Sequence, residues 1–157
     1  ELAIIIGKTG SYIDEADALK HVAGYAVCHD VSERSFQTER GGQWTKGKSA
    51  DSFGPIGPWL VTKDEVANPQ DLKMWLSVDG VMRQNGSTRT MIFPVGFLVH
   101  YISQFMSLQP GDVISTGTPP GVGLGMKPEP IYLKAGQTIR LGIEGLGEQT
   151  QLTVDAA

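Results

Sequence analysis

The chain has 157 residues, of which 40% are hydrophobic and 19% charged, and a formal net charge of −4. That length suits one domain with a core of its own, the composition excludes intrinsic disorder, and the acidic balance argues against a nucleic-acid surface. The single cysteine, Cys28, excludes an intrachain disulfide framework and a Cys-rich zinc site and fits a reducing, cytoplasmic setting, while no apolar run is long enough to span a bilayer.

Twenty glycines and nine prolines favour a turn-rich β fold over a helix bundle. The chain opens on Glu1 and enters an apolar run, Leu2 to Ile6, that reads as a buried strand. This abrupt start predicts native sequence upstream of residue 1, and with it part of the site. Asp14 is positioned to cap a helix with Glu15 and Asp17 in its first turn, Ala18, Leu19 and Val22 facing inward, and Gly24 at its end. Tyr25 to Val31 reads as a strand, Ser32 to Lys48 as a loop with a short helical turn, and Trp59 to Thr62 as a strand. Lys73 to Gln84 is a hairpin about a type I′ turn at Asp79-Gly80. Pro94 to Met106 is the best helix, with Phe97, Leu98, Tyr101, Ile102 and Phe105 on one stripe. Val113 to Thr116, Thr138 to Ile143 and Gln149 to Val154 complete the strands, the last two joined around Gly145 to Gly147. No repeat and no linker interrupts them, so residues 1–157 form a single mainly β, mixed α+β domain.

Three patterns carry chemistry or its imitation. Gly42, followed after four residues by Gly47-Lys48-Ser49, spells a phosphate loop, but no buried strand precedes it and no helix follows, so the string reads as coincidence. The glycine-rich run from Gly117 to Gly125 reads either as an anion cradle of backbone amides or, more simply, as a wide turn. His21, His29 and His100 stand at no metal-ligand spacing, and on a strand His29 and Asp30 would face opposite sides. Asp30 is the sharper case. A carboxylate within an apolar strand is costly unless paired or bound to a metal. It could pair with Arg34, or converge with Glu1 from another apolar strand on a hard cation such as Mg²⁺.

Taken in order, several segments resemble the fumarylacetoacetate hydrolase family over nearly the whole chain. They are Glu1 to Lys8, Val22 to Tyr25, His29-Asp30-Val31-Ser32-Glu33-Arg34, Gly47-Lys48-Ser49, Gly54 to Trp59, Met91-Ile92-Phe93 and Pro110 to Pro119. The resemblance is greatest to the bacterial branch acting on 2,4-diketo acids from sugar-acid breakdown. It implies the rolled mixed β-structure of the family's C-terminal domain and a homodimer. It also implies a divalent metal, Mg²⁺ or Mn²⁺, held by two glutamates one residue apart and a later aspartate. Glu1 matches the second glutamate and Asp30 the aspartate; the first glutamate would lie two residues upstream of Glu1. Lys48 matches the active-site lysine, Arg34 and Gln37 the polar loop after the metal aspartate, and Thr116 the threonine at the substrate oxygens. Departures are His29 where Asn is frequent, Ser35 where Asp commonly follows the arginine, and no positions matching the family's water-activating His/Glu pair, which in related members lies in a mobile upstream segment.

The implied reaction is hydrolysis of a C–C bond in a 2,4-diketo acid, giving pyruvate and a second acid. Lys48 and the metal would stabilise the pyruvate enolate, while Gln37 and Thr116 orient water or hold the developing oxyanion. Arg34 would hold the loop or bind a carboxylate. The same platform supports oxaloacetate decarboxylation or keto–enol isomerisation, neither of which needs an attacking water. A non-catalytic member of the family is the remaining alternative.

Overall fold

The computed structural model describes residues 1–156. Eight strands form two four-stranded sheets in which every pairing is antiparallel. The first has the order β3-β2-β1-β6, with β1 at Leu2–Ile6, β2 at Val22–Cys28, β3 at Ile56–Thr62 and β6 at Val113–Ser115. The second has the order β5-β4-β7-β8, with β4 at Lys73–Val78, β5 at Val81–Ser87, β7 at Thr138–Ile143 and β8 at Gly147–Leu152.

The core follows from the apolar patterning. Leu2, Ile4 and Ile6 of β1 lie in one buried cluster with Tyr25 and Val27 of β2 and Met74, Ile139, Leu141 and Ile143 of β4 and β7. Ala3, Ala26 and Cys28 are buried on the other face, so the central strands are covered on both sides and read as continuous apolar runs. Each fully buried Leu or Ile contributes about 1.5–3 kcal/mol of transfer free energy.

Two helices cross this framework: α1 at Arg34–Thr38 and α2 at Val95–Ser103. The predicted first helix is a 3-10 segment, Glu15–His21, behind Asp14, whose side chain makes no capping bond. Ala18 is buried, Leu19 is exposed, and Val22 and Gly24 belong to β2 rather than to a helix end. Gly24 sits where a Cβ would meet the Val61 carbonyl oxygen at 2.1 Å, so the glycine marks close strand packing and not termination. In α2 the buried residues are Val95, Val99 and Ser103. Their small side chains let the helix pack against the 3-10 segment. The larger aromatics of the predicted inward stripe form a ladder along the flank instead, with Phe97 at 4.9 Å from Phe93 and 5.7 Å from Tyr101, and Tyr101 at 5.0 Å from Phe105. Leu98 and Ile102 alone of that stripe pack on the core.

Strand β2 ends at Cys28, three residues before the predicted limit. His29 and Asp30 therefore lie just beyond the sheet, and the opposite-face rule for strands does not apply to them. This end of the first sheet positions the site.

Candidate active site

The ladder between β1 and β2 runs one residue past β1. The Cys28 N–H donates to the Glu1 carbonyl at 3.0 Å and the Glu1 nitrogen donates to the Cys28 carbonyl at 2.6 Å. Glu1 thereby lies beside the turn that carries His29 and Asp30. On its other side β6 pairs with β1, Ser115 opposite Ala3. The Ser115 hydroxyl and the Gly117 N–H, the latter at 2.9 Å, both donate to Glu1 Oε2. The start of the glycine-rich loop thus spends an amide on a protein carboxylate. Glu1 Oε1 has no hydrogen-bond partner among the described residues, and the same holds for Asp30 Oδ1.

Asp30 pairs through Oδ2 with the Lys48 ammonium, and both side chains are about two-thirds covered. Arg34, the partner open to Asp30 from sequence, turns elsewhere: its Nη1 donates to Gln37 Oε1 at 2.8 Å and its guanidinium lies 6.0 Å from the Trp44 ring centre. The reason is local. Glu33 caps α1, accepting from the Ser35 N–H at 2.9 Å and the Ser35 hydroxyl at 2.8 Å, which starts the helix at Arg34 and stacks residues 34 and 37 on one face. Ser35 is thus absorbed in the cap.

The Gly42–Ser49 string is not a phosphate loop. It folds as a 3-10 turn, Thr45–Gly47, with no helix behind it. Gly47 is buried against α1, where a Cβ would lie 2.4 Å from Gln37 Cγ, and its carbonyl accepts from the Glu33 N–H at 2.8 Å. Close packing requires that glycine, and the packing delivers Lys48 to Asp30.

A cavity of about 650 Å³ opens at this end of the molecule. Glu1, His29, Asp30 and Arg34 line one side of it, and Thr118 and Leu133 of the long loop before β7 line another. Burial is the main force on two titratable neighbours. It pushes the Cys28 thiol above its ordinary value, opposed by a contact with Ser115, and it pushes the His29 imidazole down, opposed by a hydrogen bond to Gln151.

The structure therefore brings Asp30 and Lys48 into contact, with Glu1 and Arg34 lining the same cavity as Asp30. The other two sequence candidates stand behind them. Gln37 is 1% exposed, with its oxygen taken by Arg34 and its amide nitrogen 3.5 Å from the Trp44 carbonyl. The Thr116 hydroxyl donates to the Leu2 carbonyl at 2.9 Å. Ser115 and Gly117 hold Glu1; the sequence offers Gly117 only within a possible anion cradle or wide turn, and Ser115 not at all. Their signal is positional: they flank Thr116 where β6 ends beside β1.

Two carboxylates with one open oxygen each would supply two of the roughly six oxygens that a hard divalent cation takes, the balance commonly being water. Among the described residues no group of three His, Cys, Asp or Glu side chains is arranged to hold a metal.

Several known proteins share this fold and much of this sequence. The fumarylacetoacetate hydrolase from the psychrophile Exiguobacterium antarcticum is 45% identical, with a TM-score of 0.94 over 99% of this chain and 55% of its own. A 2-hydroxyhepta-2,4-diene-1,7-dioate isomerase from Mycobacterium marinum is 42% identical, with a TM-score of 0.87 over 98% of this chain and 56% of its own. The maleylpyruvate hydrolase of Sphingobium sp. SYK-6 is 38% identical, with a TM-score of 0.85 over 99% of this chain and 53% of its own. A Burkholderia multivorans protein, provisionally described as a hydrolase, is 67% identical over 153 residues, covering 98% of this chain and 54% of the relative. The chain thus spans about half the length of the curated relatives it matches. Residues 1–154 match the model of the fumarylacetoacetate (FAA) hydrolase C-terminal family, and with two antiparallel sheets bearing this rim of carboxylates and lysine, the chain belongs to that family.

Proposed function

We propose that this chain carries the catalytic centre of an enzyme that hydrolyses a C–C bond in a 2,4-diketo acid and releases pyruvate. The observation that supports this most is the Lys48–Asp30 pair at the cavity rim, with Glu1 held beside it by Ser115 and Gly117. Glu1 and Asp30 would hold a divalent cation, Mg²⁺ or Mn²⁺, through their open oxygens. When bound, that cation supplies Lewis-acid polarisation of the keto acid and a fixed template for it.

The remaining work falls to the chain's own groups. Water adds at C4, the C3–C4 bond breaks, its electron pair becomes the pyruvate enolate, and a proton then converts that enolate to pyruvate. Lys48, a compact cation fixed by Asp30, would stabilise the enolate charge as it develops, at little cost in reorganisation. Arg34 binds a carboxylate of the substrate, its guanidinium steadied by Gln37 and Trp44. Gln37 acts through Arg34, and Thr116 fixes the β1–β6 seam beside Glu1. The acting protein is a homodimer in the cytoplasm on this reading, and its partners are small keto acids.

A keto–enol isomerase is the second reading, favoured by the 42% identity to the M. marinum isomerase. Release of pyruvate from a 2,4-diketo-3-deoxy sugar acid in the presence of Mg²⁺, abolished by EDTA, is the expected outcome. Metal-dependent loss of the enol absorbance of a 2-hydroxy-dienoate without pyruvate favours the isomerase, and oxaloacetate loss with release of CO₂ favours a decarboxylase.

A further inference from the structure

Strand β8 turns Gln149 and Gln151 toward the first sheet, at positions where an inward strand face normally carries apolar side chains. Their amides form a chain of hydrogen bonds with only one possible direction. Gln149 Nε2 lies 2.9 Å from the Val27 carbonyl oxygen and 2.8 Å from that of Gly57. Carbonyl oxygens only accept, so the NH₂ end of Gln149 must face them and its Oε1 must face away. Gln151 Nε2 donates to that Oε1 at 2.7 Å, which turns Gln151 Oε1 toward His29 Nδ1 at 2.6 Å. An amide oxygen cannot donate, so Nδ1 must carry the proton. In the neutral ring Nε2 is then left with a lone pair. Nε2 has no partner among the described residues, yet no polar side-chain atom among them is both sealed from solvent and unpartnered. Nε2 is therefore open to solvent, on a residue that lines the cavity next to Glu1 and Asp30.

We propose that His29 is a preset hydrogen-bond acceptor of the candidate site: Gln149 and Gln151 fix its ring in the Nδ1–H form, and Nε2 takes the hydroxyl of a hydroxy or enol acid bound in the cavity. The ligand half of this inference rests on the keto-acid reading above; the tautomer half does not. A lone pair beside two carboxylates repels a keto oxygen or a carboxylate and accepts from an O–H, so it separates the hydroxyl or enol form of an acid from its keto form. His29 does not join Glu1 and Asp30 as a metal cluster, which leaves Nε2 for a hydrogen-bond donor.

Nitrogen NMR of the ¹⁵N-histidine-labelled chain, above the pH range in which the ring protonates, reads both halves without turnover. The expected spectrum has a protonated Nδ1 and an unprotonated Nε2 for His29; the reverse overturns the proposal outright, whatever the variants do. Gln151→Leu releases the ring to a mixture in which Nε2–H is populated, in a chain that stays folded with a melting temperature lower by a few degrees. Gln151→Glu no longer donates to Gln149 but still accepts from Nδ1, and so keeps the Nδ1–H form. An Nδ1–H ring that persists in Gln151→Leu refutes control by the glutamines. Hydroxymalonate and malonate carry the same charge and differ by one hydroxyl. Hydroxymalonate is expected to shift the Nε2 resonance and to bind about five- to ten-fold more tightly than malonate, the worth of one net hydrogen bond. His29→Asn keeps an N–H for Gln151, lacks Nε2, and brings that ratio close to one. Equal shifts from both acids overturn the acceptor role. An Nε2 already hydrogen-bonded in the free protein and moved by neither acid assigns its partner as water and overturns it too. Absence of pyruvate release touches neither readout, so failure of the hydrolase reading stays distinguishable.

Discussion

Strands β2 and β8 pack against each other and are built on opposite plans. β2 is apolar along its length, covered on both faces, and becomes polar only when it leaves the sheet at His29 and Asp30. β8 alternates, with exposed Glu148, Thr150 and Leu152 and half-buried Gln149 and Gln151 between them. The first strand contributes burial and carries the candidate site at its end. The second contributes little apolar burial and spends its inward side chains on holding the first strand's carbonyls and His29. Stability and chemistry are thus divided between the body of the first sheet and its rim, and each half can be perturbed separately.

The largest expected effect separates rim from body. Lys48→Met should lower kcat/KM about 100- to 1000-fold, the usual cost of removing one preorganised electrostatic group, while the melting temperature stays within a degree or two. Turnover within a few-fold of wild type would remove Lys48 from the mechanism. The converse change is Ile4→Ala, at a fully buried position of β1, expected to cost about 2–5 kcal/mol of stability in urea unfolding. The divalent-cation affinity of the folded protein should not change; a large change would mean that body and rim are not separable.

Alkaline pH reaches a buried hydroxyl of the body. Burial pushes the Tyr25 hydroxyl up to about 12 from its ordinary value of 10.0. The folded chain therefore holds that proton more tightly than the unfolded one, so the contribution is fully present below pH 10 and is lost as pH rises toward 12. The loss amounts to about 2–3 kcal/mol. Tyr25→Phe should flatten this part of the stability curve, and an unchanged slope would contradict the assignment. The smallest effect is at the junction. Gln149→Leu leaves the Val27 and Gly57 carbonyls without that donor and is expected to cost about 1–2 kcal/mol, measured by chemical denaturation.

How much of this was legible in the sequence follows the same division. The run Leu2 to Ile6, the Asp79-Gly80 hairpin and the strand Thr138–Ile143 could be read because burial on both faces, turn chemistry and alternation each leave a local pattern. The aromatic stripe of α2 misled because period alone names a face, and the smaller Val95 and Val99 won the core side by fitting closer. Asp30 and Lys48 were legible as residue types, and the resemblance supplied their roles, but their pairing depends on Gly47 packing on Gln37, a contact no periodicity reports. The joining of Ser115 and Gly117 to Glu1 spans 114 and 116 residues, so it exists only once β6 lies beside β1. Gln149 and Gln151 look like ordinary strand residues until their carbonyl partners on the other sheet are known.

On the proposed function, Glu1 and Asp30 together hold the divalent cation beside the cavity. Titration calorimetry of Mg²⁺ and Mn²⁺ into the wild-type chain and into Asp30→Ala tests it most directly. One site per chain is expected, weakened by about ten-fold or more in the variant, with the melting temperature of the cation-free protein little changed. Equal affinity in the two proteins would contradict it.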